Sequence, residues 1–580
     1  MTSVVSSERG TVSRVRWLVG LGAVSAAGYA LLLWLSWQFA EEVPASDQPT
    51  LWMLMLFGLE FLAYWGALAL AIRLPASRRL LVGIIGGACL FRMILLPSVP
   101  MHEIDIYRYI WDGAVLAEGV SPYRYPPKQV LDAAQLPVAV ADKNLSRLIN
   151  LQSSSGSLAY SLRRIHFGEL ASPYPLASQA VFALSAMATP NGVSNHGRMV
   201  VMKLVLLLFD IATLVVVVAL LKATGLHLGW SLAYGWCPLV LKEIANGGHL
   251  DSIAIFLTTL AVWLLVRGCL AAKQRGRAGN FSAVALCGCV LGLAIGAKLY
   301  PVVLLPLFTA LWWRRCGGLA TVAGLVMAAI VTLGALYPLL LPKSSLPPDG
   351  KVATQRSAIP NLSVPDAPVA SSQETLDLPA PPVSSSPSAG LKEFLKRWEM
   401  NDLIFMVVLE NLRPQADVDL ATRPWFVIVP DAWTQAVADS SFLIARVLTG
   451  GVFGLIACCL AWRAAKQADP QAWCRAGMLT LAWFWLTCPT QNPWYWCWVV
   501  PLLPFARYRT WHVVGACTLL YYLRFWFTAQ YPEPPVLGTP YDGEYFFYFV
   551  VSWVEFAPAL LTLGLEWCLA RRRKQASKLA

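Results

Sequence analysis

Residues 80–113 read LLVGIIGGACLFRMILLPSVPMHEIDIYRYIWDG. An apolar run over 80–96, read as a membrane span, is followed directly by two carboxylates, Glu103 and Asp105, and then by an aromatic stretch. Ser121-Pro-Tyr-Arg-Tyr-Pro-Pro127 comes next. A carboxylate at a membrane surface is costly to desolvate, so its presence there points to a task. Apolar runs of similar length recur to the end of the chain, which makes this a multi-pass membrane protein.

Composition agrees. The 580 residues are 57% hydrophobic and 13% charged, with a mean hydropathy of +0.55. A soluble globule of this size needs more charged surface. The net charge of +12 raises the question of nucleic acid, and its distribution excludes it. Segments 1–16, 73–79, 222–228, 267–280, 314–318, 463–475, 507–510 and 571–580 hold 23 of the 45 Lys and Arg but only two of the 33 acids, Glu8 and Asp469. That asymmetry is the positive-inside bias of cytoplasmic segments. Arg571, Arg572, Arg573 and Lys574 form a stop-transfer anchor able to hold anionic headgroups. The first apolar run, 17–38, is too long for a signal-peptide core and lacks a small-residue cleavage site, so it reads as a retained helix. The thirteen cysteines avoid both large outer loops and show no metal-ligand spacing.

Spans are expected at 17–38, 51–72, 80–96, 200–221, 229–247, 250–267, 281–297, 300–313, 319–341, 441–462, 476–489, 494–506, 511–528 and 546–570. The fold class is therefore an all-α polytopic membrane protein of about fourteen transmembrane helices with two large extracytoplasmic loops and both termini cytoplasmic. Residues 174–189 are apolar, but counting them as a span would move every later basic loop outside. They are placed as a juxtamembrane helix in the outer interface. The organisation is an N-terminal helical module 1–97, a first outer loop 98–199, a central module 200–341, a Pro/Ser-rich linker 342–390, an amphipathic outer segment 391–440 and a C-terminal module 441–580. The linker has no hydrophobic period and is expected to be disordered. Leu391, Phe394, Leu395, Trp398 and Phe405 then recur at roughly helical spacing, as in an interfacial helix. No internal repeat is present.

This topology collects four polar groups at the outer face: Glu103 with Asp105, Asn246-Gly-Gly-His249-Leu-Asp251, Lys298, and Gln491-Asn492-Pro-Trp494-Tyr495. Each has a plainer reading. His249 and Asp251 suit a helix cap, Lys298 can snorkel to headgroups, and Trp494 and Tyr495 suit an interfacial belt. Arg108, Trp111 and Asp112 fit a helix packed on the membrane, with Tyr107 and Trp111 on one face. Four hairpins exposing polar groups on one side nonetheless suggest one shared site. Within spans, Asp210 and Glu243 need basic partners. Lys203, two turns before Asp210 on the same face, and the adjoining Lys242 are the candidates.

The order of these motifs resembles the GT-C glycosyltransferase superfamily, and more closely its bacterial polyprenyl-phosphate-mannose-dependent mannosyltransferases. The likeness rests on the acidic pair, Asp105-Ile-Tyr-Arg-Tyr-Ile-Trp-Asp-Gly113, Ser121-Pro-Tyr, Tyr174-Pro175, Gly248-His-Leu-Asp251, Lys298-Leu-Tyr-Pro301 and Asn492-Pro-Trp-Tyr495. It covers about 80–310, 391–412 and 480–505, leaves 343–390 unmatched, and departs from the usual Tyr-Pro-Pro at Leu176. The resemblance implies an inverting transferase in the bacterial inner membrane, its site facing the periplasm or exterior. The donor would be a polyprenyl-phosphate-linked sugar, mannose by the likeness. The acceptor would be a hydroxyl on a glycan, glycolipid or protein. It implies Asp105 as general base with Glu103 as partner. Lys298, His249 and Arg108 would face the leaving phosphate. Asp251, Tyr107, Asn492, Trp494, Tyr495 and Tyr174 would contact substrate. Lipid phosphate is already a good leaving group, so no metal is strictly required, and no other cofactor is implied. The competing reading is a transporter or flippase; a scaffold subunit is a third. Two outer loops spanning about a third of the chain, against short inner ones, favour an enzyme at the outer leaflet. Deleting part of 343–390 should leave activity largely intact, because that composition cannot bury a core; total loss in a correctly inserted protein would contradict this.

Overall fold

The computed structural model describes residues 2–135, 142–275, 281–340, 399–415, 418–419 and 421–579. Among them there is no β-strand, only two isolated bridges, Met400 to Thr490 and Val536 to Thr539. The helices are α1 (Thr2–Ser36), α2 (Thr50–Ala71), α3 (Arg78–Leu95), α4 (Ile106–Ala117), α5 (Pro127–Ala134), α6 (Lys143–Ser154), α7 (Gly156–Arg163), α8 (Leu176–Ala188), α9 (Asn195–Thr224), the short α10 (Leu232–Gly235) and α11 (Pro238–Val240), α12 (Asp251–Arg275), α13 (Phe281–Ala297), α14 (Leu305–Arg315) and α15 (Gly318–Leu340). Long helices Ser441–Lys466, Pro470–Thr487 and Ser552–Leu579 follow. Seven helices among the described residues are long and apolar enough to cross a membrane: Thr11–Phe39, Thr50–Ala71, Asn195–Thr224, Asp251–Lys273, Gly318–Leu340, Asp431–Lys466 and Gly543–Arg573. The architecture is that of an all-α membrane protein. The other expected spans are helical in shorter or broken form.

Two of those broken segments form the centre. The first runs 228–246 through a 3-10 turn, α10, α11 and a π turn, Leu241–Asn246. The second runs Pro493–Trp496 and then Val500–Phe505 in 3-10 form. Their sequences explain the breaks. Pro238, Pro493, Pro501 and Pro504 each lack an N–H donor, and Gly247 and Gly248 close the first segment. Residues 231–250 and 490–505 are buried throughout. Irregular backbone is tolerated at membrane depth only where protein surrounds it. The regular helices supply that wall and turn apolar side chains outward, such as Trp17, Trp34 and Leu31 on α1 and Leu319, Val322 and Ile330 on α15.

Residues 98–199, expected from the sequence as the first outer loop, hold five helices, α4 to α8, that form a cap, where the sequence suggested one aromatic helix, a polar stretch and a juxtamembrane helix. Local signals set them. Asp142 caps α6 by accepting from Asn144 N and Leu145 N, and Ser155 caps α7. Helix α8 forms within the predicted 174–189 and lies along α4. At the crossing, a Cβ on Gly113 would sit 2.3 Å from Phe182 O, so only glycine permits the approach. Next to it Arg108 Nε donates to Asp112 (3.2 Å), Arg108 Nη2 to Leu170 O (2.8 Å) and Gln179 Nε2 to Asp112 (3.2 Å). Arg108 thus fastens the cap.

Two further expectations change. Asp210 pairs with Arg92 of α3, not with Lys203, and also accepts from Tyr234 (2.6 Å). Arg92 Nη1 also donates to Gly235 O (2.7 Å), tying α3, α9 and the broken segment together. Lys203 instead donates to Ser98 O (2.6 Å). Its helix face is shared with Asp210, but α3 supplies the nearer cation. The linker 342–390 and Leu391, Phe394, Leu395 and Trp398 lie outside the described residues. Phe405 belongs to Ile404–Glu410 and is buried against Phe442 (centroids 5.4 Å) and Ala445, so this part faces protein and not a membrane surface. Gly113→Val should lower stability by about 1–3 kcal/mol or more through overpacking against the α8 backbone, read as a fall in Tm of the detergent-solubilised protein; an unchanged Tm would contradict the crossing.

Candidate active site

The acid motif hangs from a pinned turn. After α3, Asn246 Nδ2 donates to Ser98 Oγ (2.9 Å) and Val99 O (2.7 Å), and its Oδ1 accepts from Met101 N (3.2 Å). His102 then adopts φ +69°, a left-handed conformation that a side chain with a Cβ rarely takes. It is held there by Thr50 Oγ1 (2.9 Å from Nε2) and by stacking on Phe525 (4.4 Å). Burial, with Lys242 nearby, pushes the His102 imidazole down to about 3, so it stays neutral. The kink sends Glu103 and Asp105 into the molecule before α4 begins. Gly248, at φ +68°, makes room: a Cβ there would meet Ile106 at 2.7 Å.

The two carboxylates differ. Glu103 is half-buried, and its shielded Oε1 has no hydrogen-bond partner among the described residues. Burial first, then the Asp105 charge, push its carboxyl up to about 7; His249 and Lys242 oppose this and Glu243 adds to it. Asp105 sits at the N-cap of α4 but makes no capping bond, and no hydrogen bond of its side chain is found among the described residues. It lies within electrostatic reach of Tyr109, Tyr174, Tyr495 and His166. Tyr174 and Tyr109 are raised above the usual tyrosine range chiefly by burial, so both keep their phenolic protons.

Asp251, paired with Lys298, lies within electrostatic reach of two of the same tyrosines, Tyr109 and Tyr495. Lys298 Nζ donates to both Asp251 oxygens at 2.7 Å, and Trp498 Nε1 donates to Asp251 at 2.6 Å. The ammonium lies over Tyr495 (4.6 Å) and Trp498 (5.4 Å), whose rings stack at 4.2 Å. Asp251 therefore opens α12 without acting as its cap; its carboxylate fixes a lysine and a tryptophan. An ammonium has three donors, so one Lys298 N–H remains beyond the Asp251 contacts. Ser178 Oγ donates to Ala297 O (2.8 Å), joining the start of α8, just after Tyr174, to the residue before Lys298. His249 stacks on Trp494 (4.3 Å), its Nε2 3.3 Å from Glu243.

The structure thus brings together Glu103, Asp105, Asp251, His249, Lys298, Trp494, Tyr495 and Tyr174. Arg108 is committed to Asp112 and Leu170 in the cap, so no phosphate contact is assigned to it. Tyr107 packs against Tyr160 (5.8 Å) under Arg164, which is paired with Glu41. Asn492 is buried at the start of the second broken segment, its Oδ1 unpartnered among the described residues. Sequence reasoning missed Trp498, Tyr522, Tyr109, His166 and His102. It also missed Glu399-Met-Asn-Asp402, which runs beside 489–491: Gln491 N donates to Met400 O (2.9 Å) and Asn401 Nδ2 to Gln491 O (3.1 Å). Among the described residues no group of three or more His, Cys, Asp or Glu is arranged to hold a metal ion. Comparison with protein-family models, curated proteins and solved structures gave no match.

Because the folded carboxyl of Glu103 holds its proton more tightly than an unfolded glutamate, its contribution to stability is full below about 4.5 and is lost as pH rises through about 7. Glu103→Gln should therefore flatten the fall in Tm between pH 5 and 8, leaving a residual slope from Glu399, also pushed up to about 7 by burial. An unaltered Tm–pH curve would contradict this.

Proposed function

We propose that the chain is an inverting membrane glycosyltransferase that moves a sugar, mannose by resemblance, from a polyprenyl-phosphate donor to an acceptor hydroxyl at the extracytoplasmic face. The observation that carries the reading is Asp105: a carboxylate with no hydrogen bond found among the described residues, within electrostatic reach of Tyr109, Tyr174 and Tyr495, the last of which lies under the ammonium of the Lys298–Asp251 ion pair. In this reading the acceptor oxygen attacks the anomeric carbon, the bond from that carbon to the phosphate oxygen breaks, and Asp105 takes the hydroxyl proton. Lys298 offers its remaining N–H to the departing phosphate, with Asp251 holding it in place, and His249 offers a second contact. Tyr495, Trp498 and Trp494 give a flat wall for the sugar. Glu103, kept partly protonated near neutral pH, leaves Asp105 as the carboxylate available to act as base.

A transporter would need the inner charges to line a path. Arg92 is bonded to Asp210, Lys203 to Ser98, and Lys242 to Tyr522, all within closely packed surroundings. That closure supports the enzyme. The fourteen-span topology, with the cap on the outside, belongs to the same proposal. Asp105→Asn should cut transfer by about 10²–10⁴-fold while leaving donor affinity unchanged. Lys298→Ala should weaken donor binding as well, since it removes charge from bound and departing phosphate alike. Wild-type rates from Asp105→Asn would remove Asp105 as base and make Glu103 the next candidate; indifference of both carboxylates would favour the transporter.

A further inference from the structure

The mechanism above leaves one constellation unused, on the π turn Leu241–Asn246. Lys242 and Glu243 are fully buried there. Tyr522, far away in sequence, reaches both: Lys242 Nζ donates to its hydroxyl (3.1 Å), and the hydroxyl donates to the Glu243 carboxylate (2.9 and 3.1 Å to its two oxygens). The Tyr522 ring lies under the Lys242 ammonium (4.3 Å) and stacks on His102 (5.8 Å). The turn is wider than an α-helix: Gly247 N bonds to Lys242 O (2.8 Å) and His249 N to Glu243 O (3.1 Å). π turns of this kind are frequent at functional sites. Its effect is to fold His249 back onto the residue six positions earlier. Gly247 keeps the space clear, since a Cβ there would lie 2.8 Å from Glu243 O and 3.0 Å from the His249 ring.

His249 is thereby flanked on two sides, by the Glu243 carboxylate, 3.3 Å from Nε2 but outside hydrogen-bond geometry, and by the face of Trp494. Its other nitrogen, Nδ1, is buried and has no hydrogen-bond partner among the described residues. A buried ring nitrogen without a partner in a polar site points to an absent ligand group. The charged groups around the ring are Glu243 and Lys242 from the turn and Glu103 from the acid motif. We propose that Glu243 and Tyr522 are positioning residues: they orient His249 so that Nδ1–H donates to a phosphate monoester, the imidazolium being held between the Glu243 carboxylate and the ligand. Resting on the transferase reading, this makes His249 the second phosphate contact beside Lys298. Binding then takes up a proton on His249, and no bond in the ligand changes.

Farnesyl phosphate, titrated calorimetrically into the full-length protein in detergent at pH 8 in two buffers of different ionisation enthalpy, gives both affinity and proton uptake. Wild type should bind with proton uptake, and His249→Gln should bind more weakly without it. Glu243→Gln and Tyr522→Phe should each weaken binding by about 10- to 100-fold, as for loss of a charge-assisted hydrogen bond, and reduce the uptake, with Glu243→Asp recovering part of both. The double variant Glu243→Gln/His249→Gln should bind no worse than His249→Gln, because Glu243 acts through the histidine. The two single variants alter different ends of the contact, so either one that retains its melting transition decides the question. Wild-type affinity and uptake in them, or additive losses in the double variant, would overturn the inference while leaving the transferase reading intact. Absence of binding by wild type would overturn both.

Discussion

A membrane offers no partner for a free backbone N–H or C=O, so broken helix must be wrapped in protein. Both irregular segments here obey that constraint: they are buried over 231–246 and 493–505. The consequence is functional. A helix interrupted by Pro238, or by Pro493, Pro501 and Pro504, turns backbone and polar side chains inward, where a regular span would present an apolar stripe. Glu243, Asn246, His249, Asn492, Trp494 and Tyr495 all come from these segments or their ends. Regular helices such as α1, α9, α12 and α15 provide the wall.

The polar centre is held by contacts between elements distant in sequence. Asn246 grips the turn at 98–101, Tyr522 grips Glu243 and Lys242, Trp498 grips Asp251, and Ser178 grips the end of α13. Buried polar groups of this kind are costly unless satisfied. Most are satisfied; of the exceptions, Glu103 Oε1, both His249 nitrogens and Asn492 Oδ1 lie at the site, while others, such as Glu60 Oε2, His512 Nδ1 and Glu555 Oε2, lie away from it. Asp105 stands beside them with no hydrogen bond of its side chain found among the described residues. In the proposed reading, these open groups are the ones a polar ligand would meet.

Much of this was legible in the residues. Hydropathy pointed to an all-α membrane protein because burial in lipid demands apolar runs, and seven helices among the described residues are long and apolar enough to cross. The acid motif, His249, Asp251, Lys298 and Trp494-Tyr495 were visible as polar groups at hairpin tips. What stayed hidden was partner choice. Lys203 lies on the same helix face as Asp210, yet Arg92 takes that carboxylate, since pairing across helices depends on crossing geometry that no single helix encodes. Arg108 read as a possible phosphate ligand, but Asp112 one turn later and the carbonyl of Leu170 hold it in the cap. The π turn leaves no sequence signal beyond its two glycines, so Glu243 and His249 read as unrelated. Tyr522 sits in an aromatic run where one tyrosine resembles another until its hydroxyl is placed.

The central claim is that an outer-face carboxylate and a lysine pair serve transfer from a lipid-linked sugar. The most direct measurement is incubation of the purified protein with a panel of polyprenyl-phosphate sugars and hydroxyl acceptors, following the release of free polyprenyl phosphate. The account predicts release from one sugar donor above the others, dependent on acceptor, with inverted configuration at the new glycosidic bond. Protein that is folded and binds the lipid phosphates, yet releases none from any donor and acceptor, would contradict it.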